Sequence, residues 1–348
     1  MALLKKIKVL IVDDSILFRT TLQQKLSTDH TLQIVGTAVD PVDAMDKIKA
    51  LRPDVLTLDV EMPKMNGIEF LKRLIPKNPI PVVVVTSLPM NALDAMHAGA
   101  VDFVRKPAVN SPNDLASFVR ELSSKIKVAS NAHVSAGQPV RKPVASGLPP
   151  ALLQKANVAN TILAIGASTG GTESILQVVK DLPANTPGIV IVQHIPPVFS
   201  NMYAQRLNNL CKMSAKEAED GDRVERGKII VGAGEYQLRL CRDAKGYYVR
   251  SQKGPRVNGH CPSVDVLFQS VAETAKKNAV GVILTGMGSD GAKGLLQMRQ
   301  AGAYTIGQDK ESCVVYGMPM VAYQLGAVAK QLPLDQIGGE MIRYLNSL

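Results

Sequence analysis

Residues 161–179 read TILAIGASTGGTESILQVV. An apolar run gives way to a turn of Gly, Ala, Ser and Thr, and then to a stretch with apolar residues at helical spacing. A strand, a tight turn and a helix in that order form the repeating unit of a parallel α/β sheet. Two chemistries share these letters. Backbone N–H groups at a helix N-terminus can cradle a phosphate, whereas a strand-to-helix elbow of pattern G-x-S-x-G holds a serine up as a nucleophile. GASTG, residues 166–170, fits the elbow. No Lys-Ser or Lys-Thr pair completes a P-loop and the glycines do not space as G-x-G-x-x-G, which leaves nucleotide binding the poorer reading.

A serine hydroxyl is scarcely ionised at neutral pH, so a nucleophilic Ser168 needs a base and a group to orient that base. The next apolar run, GIVIVQH, ends on His194, and the later run AVGVILTG enters a glycine-rich loop, GMGSDGA, that presents Asp290. Carboxyl ends of strands in one parallel sheet share one edge, so the three side chains are expected to meet there. His194 would take the serine proton, and Asp290 would fix the imidazole tautomer and stabilise the imidazolium. Each residue also has a plain structural reading, His194 as an edge histidine and Asp290 as a helix cap. The chain order Ser, His, Asp is not that of the α/β-hydrolases, so a separate origin of the same geometry is expected.

Working outward, residues 7–125 alternate short apolar runs (IKVLIV, LQIVG, DVLTLD, PVVVVTS, VDFV) with segments of helical spacing. Five βα units predict a doubly wound parallel sheet. Asp13 and Asp14 close its first strand and Asp59 its third. Converging carboxylates repel unless a cation sits among them, and oxygen ligands of this kind suit Mg²⁺. Thr86 closes the fourth strand and Lys106 follows the fifth, a hydroxyl and an ammonium suited to phosphoryl oxygens.

Residues 130–150, SNAHVSAGQPVRKPVASGLPP, lose periodicity and gather Pro, Gly, Ser and Ala, the composition of a linker. The expected organisation is a first domain over 5–125, a linker over 126–156 and a second domain over 157–348. The second is also expected to be a Rossmann-like parallel α/β unit. The segment GKIIVGAGEYQLRLCRDAKGYYVRSQ, alternating in period two around Asp243 to Gly246, predicts a β-hairpin inside it.

The 348 residues carry a net charge of +10, but the excess is dispersed. Residues 1–125 hold 16 basic and 14 acidic side chains, 126–155 hold 4 and none, and 156–348 hold 20 and 16. Without a dense basic block or aromatic stacking platform, nucleic acid is not an expected partner. No apolar run reaches the roughly 18–20 residues of a membrane span, and the opening MALLKKIKVLIVDD turns acidic too early for a signal sequence. A soluble, cytoplasmic protein without membrane insertion is expected. Cys211, Cys241, Cys261 and Cys313 show no C-x-x-C spacing and read as reduced and structural.

VLIVDDS, LTLDVEMPKMNG, VVTS and VRKP together resemble the receiver domain of bacterial response regulators. The resemblance implies that Asp59 accepts a phosphoryl group from a CheA-type histidine kinase. It also implies that Asp13 and Asp14, with Asp59, bind Mg²⁺, that Thr86 and Lys106 contact the phosphoryl group, and that Phe103 is the aromatic switch. In the second half, AIGASTGGTESI, VQHIP, CPSVDVLF and ILTGMGSDGAKGL resemble the catalytic domain of the chemotaxis protein-glutamate methylesterases, the CheB family. The family implies hydrolysis of γ-glutamyl methyl esters on the cytoplasmic helices of chemoreceptors, with deamidation of selected receptor glutamines, and no cofactor for the esterase reaction. Ser168, His194 and Asp290 fall on its triad. Thr169 beside the nucleophile and the Met287 backbone N–H fall on its oxyanion and substrate-positioning sites. His260 and CPSVDVLF also match the family, and a helix start capped by Ser263, with Asp265 in the first turn, is the local reading of that motif.

Because acceptor and serine lie on different sheets, coupling between them is expected to be a change of domain contact. The unphosphorylated receiver would cover the cleft around Ser168, and phosphorylation would release it. Two other classes compete. A DNA-binding regulator needs a compact helix-turn-helix output, unlike the long glycine-punctuated second half. A silent phosphorylation-dependent adaptor would not need Ser168.

Overall fold

A computed structural model of the chain describes residues 5–63, 65–107, 112–134, 158 and 160–348. The chain divides into two compact units, residues 1–140 and 141–348. Most of the expected linker, residues 135–156, lies outside the described residues, as does residue 157.

The first unit has five strands: β1 (Ile7–Val12), β2 (Leu32–Ala38), β3 (Val55–Asp59), β4 (Val82–Thr86) and β5 (Asp102–Arg105). They pair in parallel in the order β2-β1-β3-β4-β5. Every residue of β3 and β4 is buried, as continuous VLTLD and VVVVT runs in a sheet covered on both faces require. The helices are α1 (Ile16–Leu26), α2 (Pro41–Leu51), α3 (Gly67–Leu74), α4 (Pro89–His97) and α5 (Pro112–Ala129). Side-chain caps start several of them: Asp40 accepts from the Val42 and Asp43 N–H groups, and Asn66 from Glu69 N–H. Strand order reverses between β1 and β3, so the carboxyl ends of these two neighbours open the crevice where such sheets bind ligands.

The second unit is built on a seven-stranded parallel sheet. Its strands are β6 (Ile162–Ala167), β7 (Ile189–Gln193), β8 (Ser214–Glu217), β9 (Lys228–Val231), β12 (Ala279–Ile283), β13 (Tyr304–Gln308) and β14 (Lys330–Leu332). Their order is β14-β13-β12-β6-β7-β9-β8. Helices α6 (Gly171–Val179), α7 (Phe199–Leu210), α8 (Val264–Thr274), α9 (Ala292–Gln300), α10 (Met318–Gln324) and α11 (Leu334–Ser347) complete it. The expected hairpin is present as β10 (Tyr236–Asp243) and β11 (Gly246–Lys253), paired around Asp243 and Gly246. The residues KIIV before it belong instead to the main sheet as β9, parallel to β7. Edge strands β8 (SAKE) and β14 (KQL) were not legible as strands, because short, half-exposed edges carry polar residues.

One core unites the sheet, α8, α9 and the hairpin, with Leu238, Leu240, Val249, Val264, Leu267, Phe268 and Ile283 all buried. Ser270 Oγ accepts from the Leu240 N–H at 2.8 Å and Thr274 Oγ1 donates to the Leu240 carbonyl at 3.1 Å, docking the hairpin on α8. The helix can sit this close to β6 because position 166 is glycine: a Cβ there would lie 2.1 Å from Val264 Cγ1. Truncating fully buried Phe268 to Ala is expected to cost about 3–5 kcal/mol. The N-terminus of α8 is thereby held against the sheet edge where the candidate serine lies.

Candidate active site

The three adjacent central strands β12, β6 and β7 deliver Asp290, Ser168 and His194 from their carboxyl ends. Backbone bonds fasten the ends together: Ser168 N–H donates to Thr285 O at 3.0 Å and His194 N–H to Ala167 O at 3.1 Å. Gln193, the last residue of β7, donates from Nε2 to the carbonyls of Ser168 (2.9 Å) and His194 (3.2 Å). Gly286 lies against the serine, since a Cβ there would be 2.7 Å from Ser168 Cβ.

His194 Nε2 is 2.8 Å from Asp290 Oδ2, and both side chains are almost wholly buried. Only the Nε2–H tautomer satisfies that carboxylate, which makes Nδ1 the basic nitrogen. Nδ1 is itself buried and has no partner among the described residues. The ring thus meets the carboxylate through Nε2 rather than Nδ1.

Asp290 does not cap its own helix α9, as its position before Ala292 suggests. It caps α8 from outside the chain segment. Oδ2 accepts from Val264 N–H (2.7 Å); Oδ1 accepts from Asp265 N–H (3.2 Å), Ser263 Oγ–H (2.7 Å) and Asn258 Nδ2–H (2.8 Å). Burial by itself would raise this carboxyl, but the bonds from His194, Asn258 and Ser263 outweigh it and hold the group well below the usual carboxylate range. The N-terminal end of α8 adds its positive dipole. This gives CPSVD a chemistry that a cap reading alone misses. Ser263 does accept from Val266 N–H at 3.4 Å, as a cap should, yet it also hands its proton to Asp290.

Two residues outside the expected set complete the cluster. His260 stacks on His194, with ring centroids 3.6 Å apart and planes 8° from parallel. Burial first, and then electrostatic interaction with the adjoining His194, depresses His260 from 6.5 to about 4. Asn258 contacts both Asp290 and Asp265. The signal for both was VNGH, an Asn-Gly turn next to a motif with no chemistry of its own.

Thr169 is buried, and its carbonyl accepts from Thr285 Oγ1 at 3.0 Å. Met287 stands in the Gly286–Gly288 loop with a half-exposed side chain. The four cysteines are free thiols.

In the first unit, Asp13, Asp14 and Asp59 present carboxylate oxygens that all lie within 4.8 Å of one another. Asp13 and Asp59 are buried. Lys106 Nζ bridges them, 2.8 Å from Asp13 Oδ2 and 2.5 Å from Asp59 Oδ2. Burial disfavours its charge, but the two carboxylates prevail and hold Lys106 above its usual range. Thr86, fully buried, accepts from Leu88 N–H at 3.1 Å. Phe103 is buried beneath the Lys125 ammonium, 5.1 Å from its ring centroid.

Taken together, the second unit is a parallel α/β domain that brings a serine, a histidine and an aspartate to neighbouring strand ends, and the first has the fold of a receiver. Comparison with known proteins makes the assignment specific. Residues 163–341 match the CheB methylesterase family and residues 9–120 the response regulator receiver domain family. The chain is 54% identical over 345 residues to protein-glutamate methylesterase/protein-glutamine glutaminase 2 of Syntrophomonas wolfei subsp. wolfei, covering 99% of each. It is 44% identical to the protein-glutamate methylesterase/protein-glutamine glutaminase of Salmonella typhimurium, covering 99% of this chain and 98% of that one. The crystal structure of the Thermotoga maritima CheB methylesterase catalytic domain matches with a TM-score of 0.52 at 37% identity, covering 54% of this chain and all of that one. The chain belongs to the CheB methylesterase family, with a response regulator receiver at its N-terminus.

Proposed function

We propose that this protein hydrolyses γ-glutamyl methyl esters on the cytoplasmic helices of chemoreceptors, and deamidates receptor glutamines, under control of phosphorylation at Asp59. The observation that carries the reading is the buried His194–Asp290 pair beside Ser168, with Nδ1 left as the free base. Ser168 Oγ attacks the ester carbonyl carbon while His194 Nδ1 takes its proton. The tetrahedral oxyanion collapses, the C–OCH₃ bond breaks, and His194 returns the proton to the departing methoxide as methanol. Water, deprotonated by the same nitrogen, then adds to the acyl-serine; the acyl C–Oγ bond breaks, His194 returns the proton to Ser168 Oγ, and the released acid gives its proton to solvent to leave a glutamate carboxylate. With a glutamine substrate the same steps release ammonia.

Thr169 and the Met287 N–H are the proposed oxyanion and positioning groups. In support, the Met287 N–H has no acceptor among the described residues, and its neighbour Gly286 abuts Ser168. Donors of this kind are each worth about 2.7–4 kcal/mol in the transition state.

In the receiver, the clustered oxygens of Asp13, Asp14 and Asp59 fit a hard divalent cation. Bound there, Mg²⁺ would neutralise charge between carboxylates and phosphoryl oxygens. Asp59 would receive the phosphoryl group from a CheA-type histidine kinase, Thr86 and Lys106 would contact it, and Phe103 would relay the change. Residues 5–125, 126–156 and 157–348 are the proposed receiver, linker and catalytic domain. The setting would be cytoplasmic, and among the described residues no helix is long and apolar enough to cross a membrane.

The test is methanol release from methylated receptor membranes, with and without a phosphodonor and Mg²⁺, beside Ser168→Ala and Asp59→Ala. Release that requires Ser168, and that the phosphodonor raises only when Asp59 is present, supports the reading. No Ser168-dependent release would overturn it.

A further inference from the structure

The Val257–His260 segment forms a closed turn: Val257 N–H donates to His260 O and His260 N–H to Val257 O, both at 2.9 Å. Asn258 and Gly259, its central residues, have φ of 53° and 85°, the conformation an Asn-Gly turn supplies. From this turn Asn258 Nδ2 reaches two carboxylates, Asp265 Oδ2 at 2.8 Å and Asp290 Oδ1 at 2.8 Å. An amide nitrogen carries two protons, and here each meets one carboxylate. Both acids are buried. Asp265 also accepts from Gly294 N–H at 2.7 Å, which ties it to α9.

We propose that Asn258 is a positioning residue for the triad: by donating once to each of two buried carboxylates, it holds Asp290 in the orientation that receives the His194 Nε2–H. The inference rests on the esterase reading above. Asp290 also accepts from Ser263 and from the Val264 and Asp265 N–H groups, all on one segment at the α8 N-terminus, whereas Asn258 reaches Oδ1 from a separate turn. Asn258 separates Asp290 from Asp265, whose repulsion would otherwise favour rotation away from His194 or the uptake of a proton. The charged and titratable groups facing Asp290 are His194 after β7, Asp265 on α8 and His260 on the turn, with Arg256 acting on His260. Removing the amide leaves the two acids to repel directly and makes the pair more basic. The acid limb of kcat then moves to higher pH, because a more basic Asp290 either protonates sooner or stabilises the His194 imidazolium.

Asn258→Gly and Asn258→Asp test this in the full-length protein. Glycine and aspartate both tolerate positive φ, so the turn survives while the donor is lost. Two readouts are taken: kcat, KM and the acid limb for methyl-ester hydrolysis, and the low-field NMR proton of His194 Nε2–H, which needs no substrate. Expected are a fall in kcat on the order of ten- to a hundredfold, as for a hydrogen bond to a charged group, an unchanged KM, an acid limb shifted upward and a displaced low-field proton. A kcat, acid limb and low-field proton all equal to wild type in both variants would overturn the proposal. If the wild type shows no Ser168-dependent hydrolysis, the esterase reading fails, and the NMR proton alone then decides whether Asn258 orients the His194–Asp290 pair.

Discussion

His194 donates from Nε2 to Asp290 Oδ2 at 2.8 Å, which leaves Nδ1 buried and without a partner among the described residues. The tautomer is set from outside the ring, by a carboxylate that can only accept. Three segments, 258, 263–265 and 290, converge to keep it so.

Asp290→Asn follows directly. An amide NH₂ turned toward His194 would donate to Nε2 and move the ring proton to Nδ1, the wrong nitrogen. With its oxygen turned there instead, the amide nitrogen meets Ser263, Asn258 and Asp265 N–H, all of them donors. A loss in kcat of roughly a thousand- to ten-thousandfold is expected, with KM little changed, measured as methanol release.

Gly286→Ala tests how closely the glycine-rich loop approaches the serine. The new Cβ would lie 2.7 Å from Ser168 Cβ and 2.5 Å from Met318 Sδ. Overpacking is expected to cost about 1–3 kcal/mol of stability. A displaced Ser168 should lower kcat on the order of a hundredfold. Gly339→Ala is the control: nothing lies within 4 Å of its Cβ, so thermal stability should hold or rise and kcat should not move.

His260 gives stability a pH dependence whose sign is determined. Its folded value is depressed from 6.5 to about 4, burial being the first cause and His194 the second. Between those values the unfolded chain binds a proton that the folded chain refuses. Stability therefore falls as pH drops from 6.5 toward about 4, and this contribution is fully lost below that. His260→Gln should flatten the decline of Tm over this window, measured by thermal denaturation. An unchanged slope would show that the stacked ring is not its source.

In the receiver, Asp59→Ala should abolish the rise in methanol release with phosphodonor. Asp13→Asn should weaken Mg²⁺ binding, since the cluster loses a charge while keeping its shape. Calorimetric titration with Mg²⁺ checks the second, and equal affinity for wild type and variant would remove Asp13 from the cation site.

Much of this protein was legible in its residues. Runs such as VVVVT and GIVIVQH are continuous because parallel strands are buried on both faces, and that composition announces the sheet. Strand ends in such a sheet share one edge, so Ser168, His194 and Asp290 pointed to one another across 122 residues of chain, as did Asp13 and Asp59 in the first unit. The polar edges β8 and β14 escaped because half-exposed strands carry no apolar signature. What no pattern announced was the support around Asp290. Asn258 and Ser263 are ordinary turn and cap residues in sequence, and only the packing of α8 on β6, through Gly166, brings them to the carboxylate. Which ring nitrogen of His194 meets Asp290 was likewise undecided, because a histidine's letter is the same in either orientation. The sequence by itself determined the architecture and the candidate side chains at the strand ends, since these follow from periodicity and strand order. Tertiary structure alone decided the tautomer and the carboxylate's donors, because both depend on contacts a few ångströms long between segments far apart in the chain.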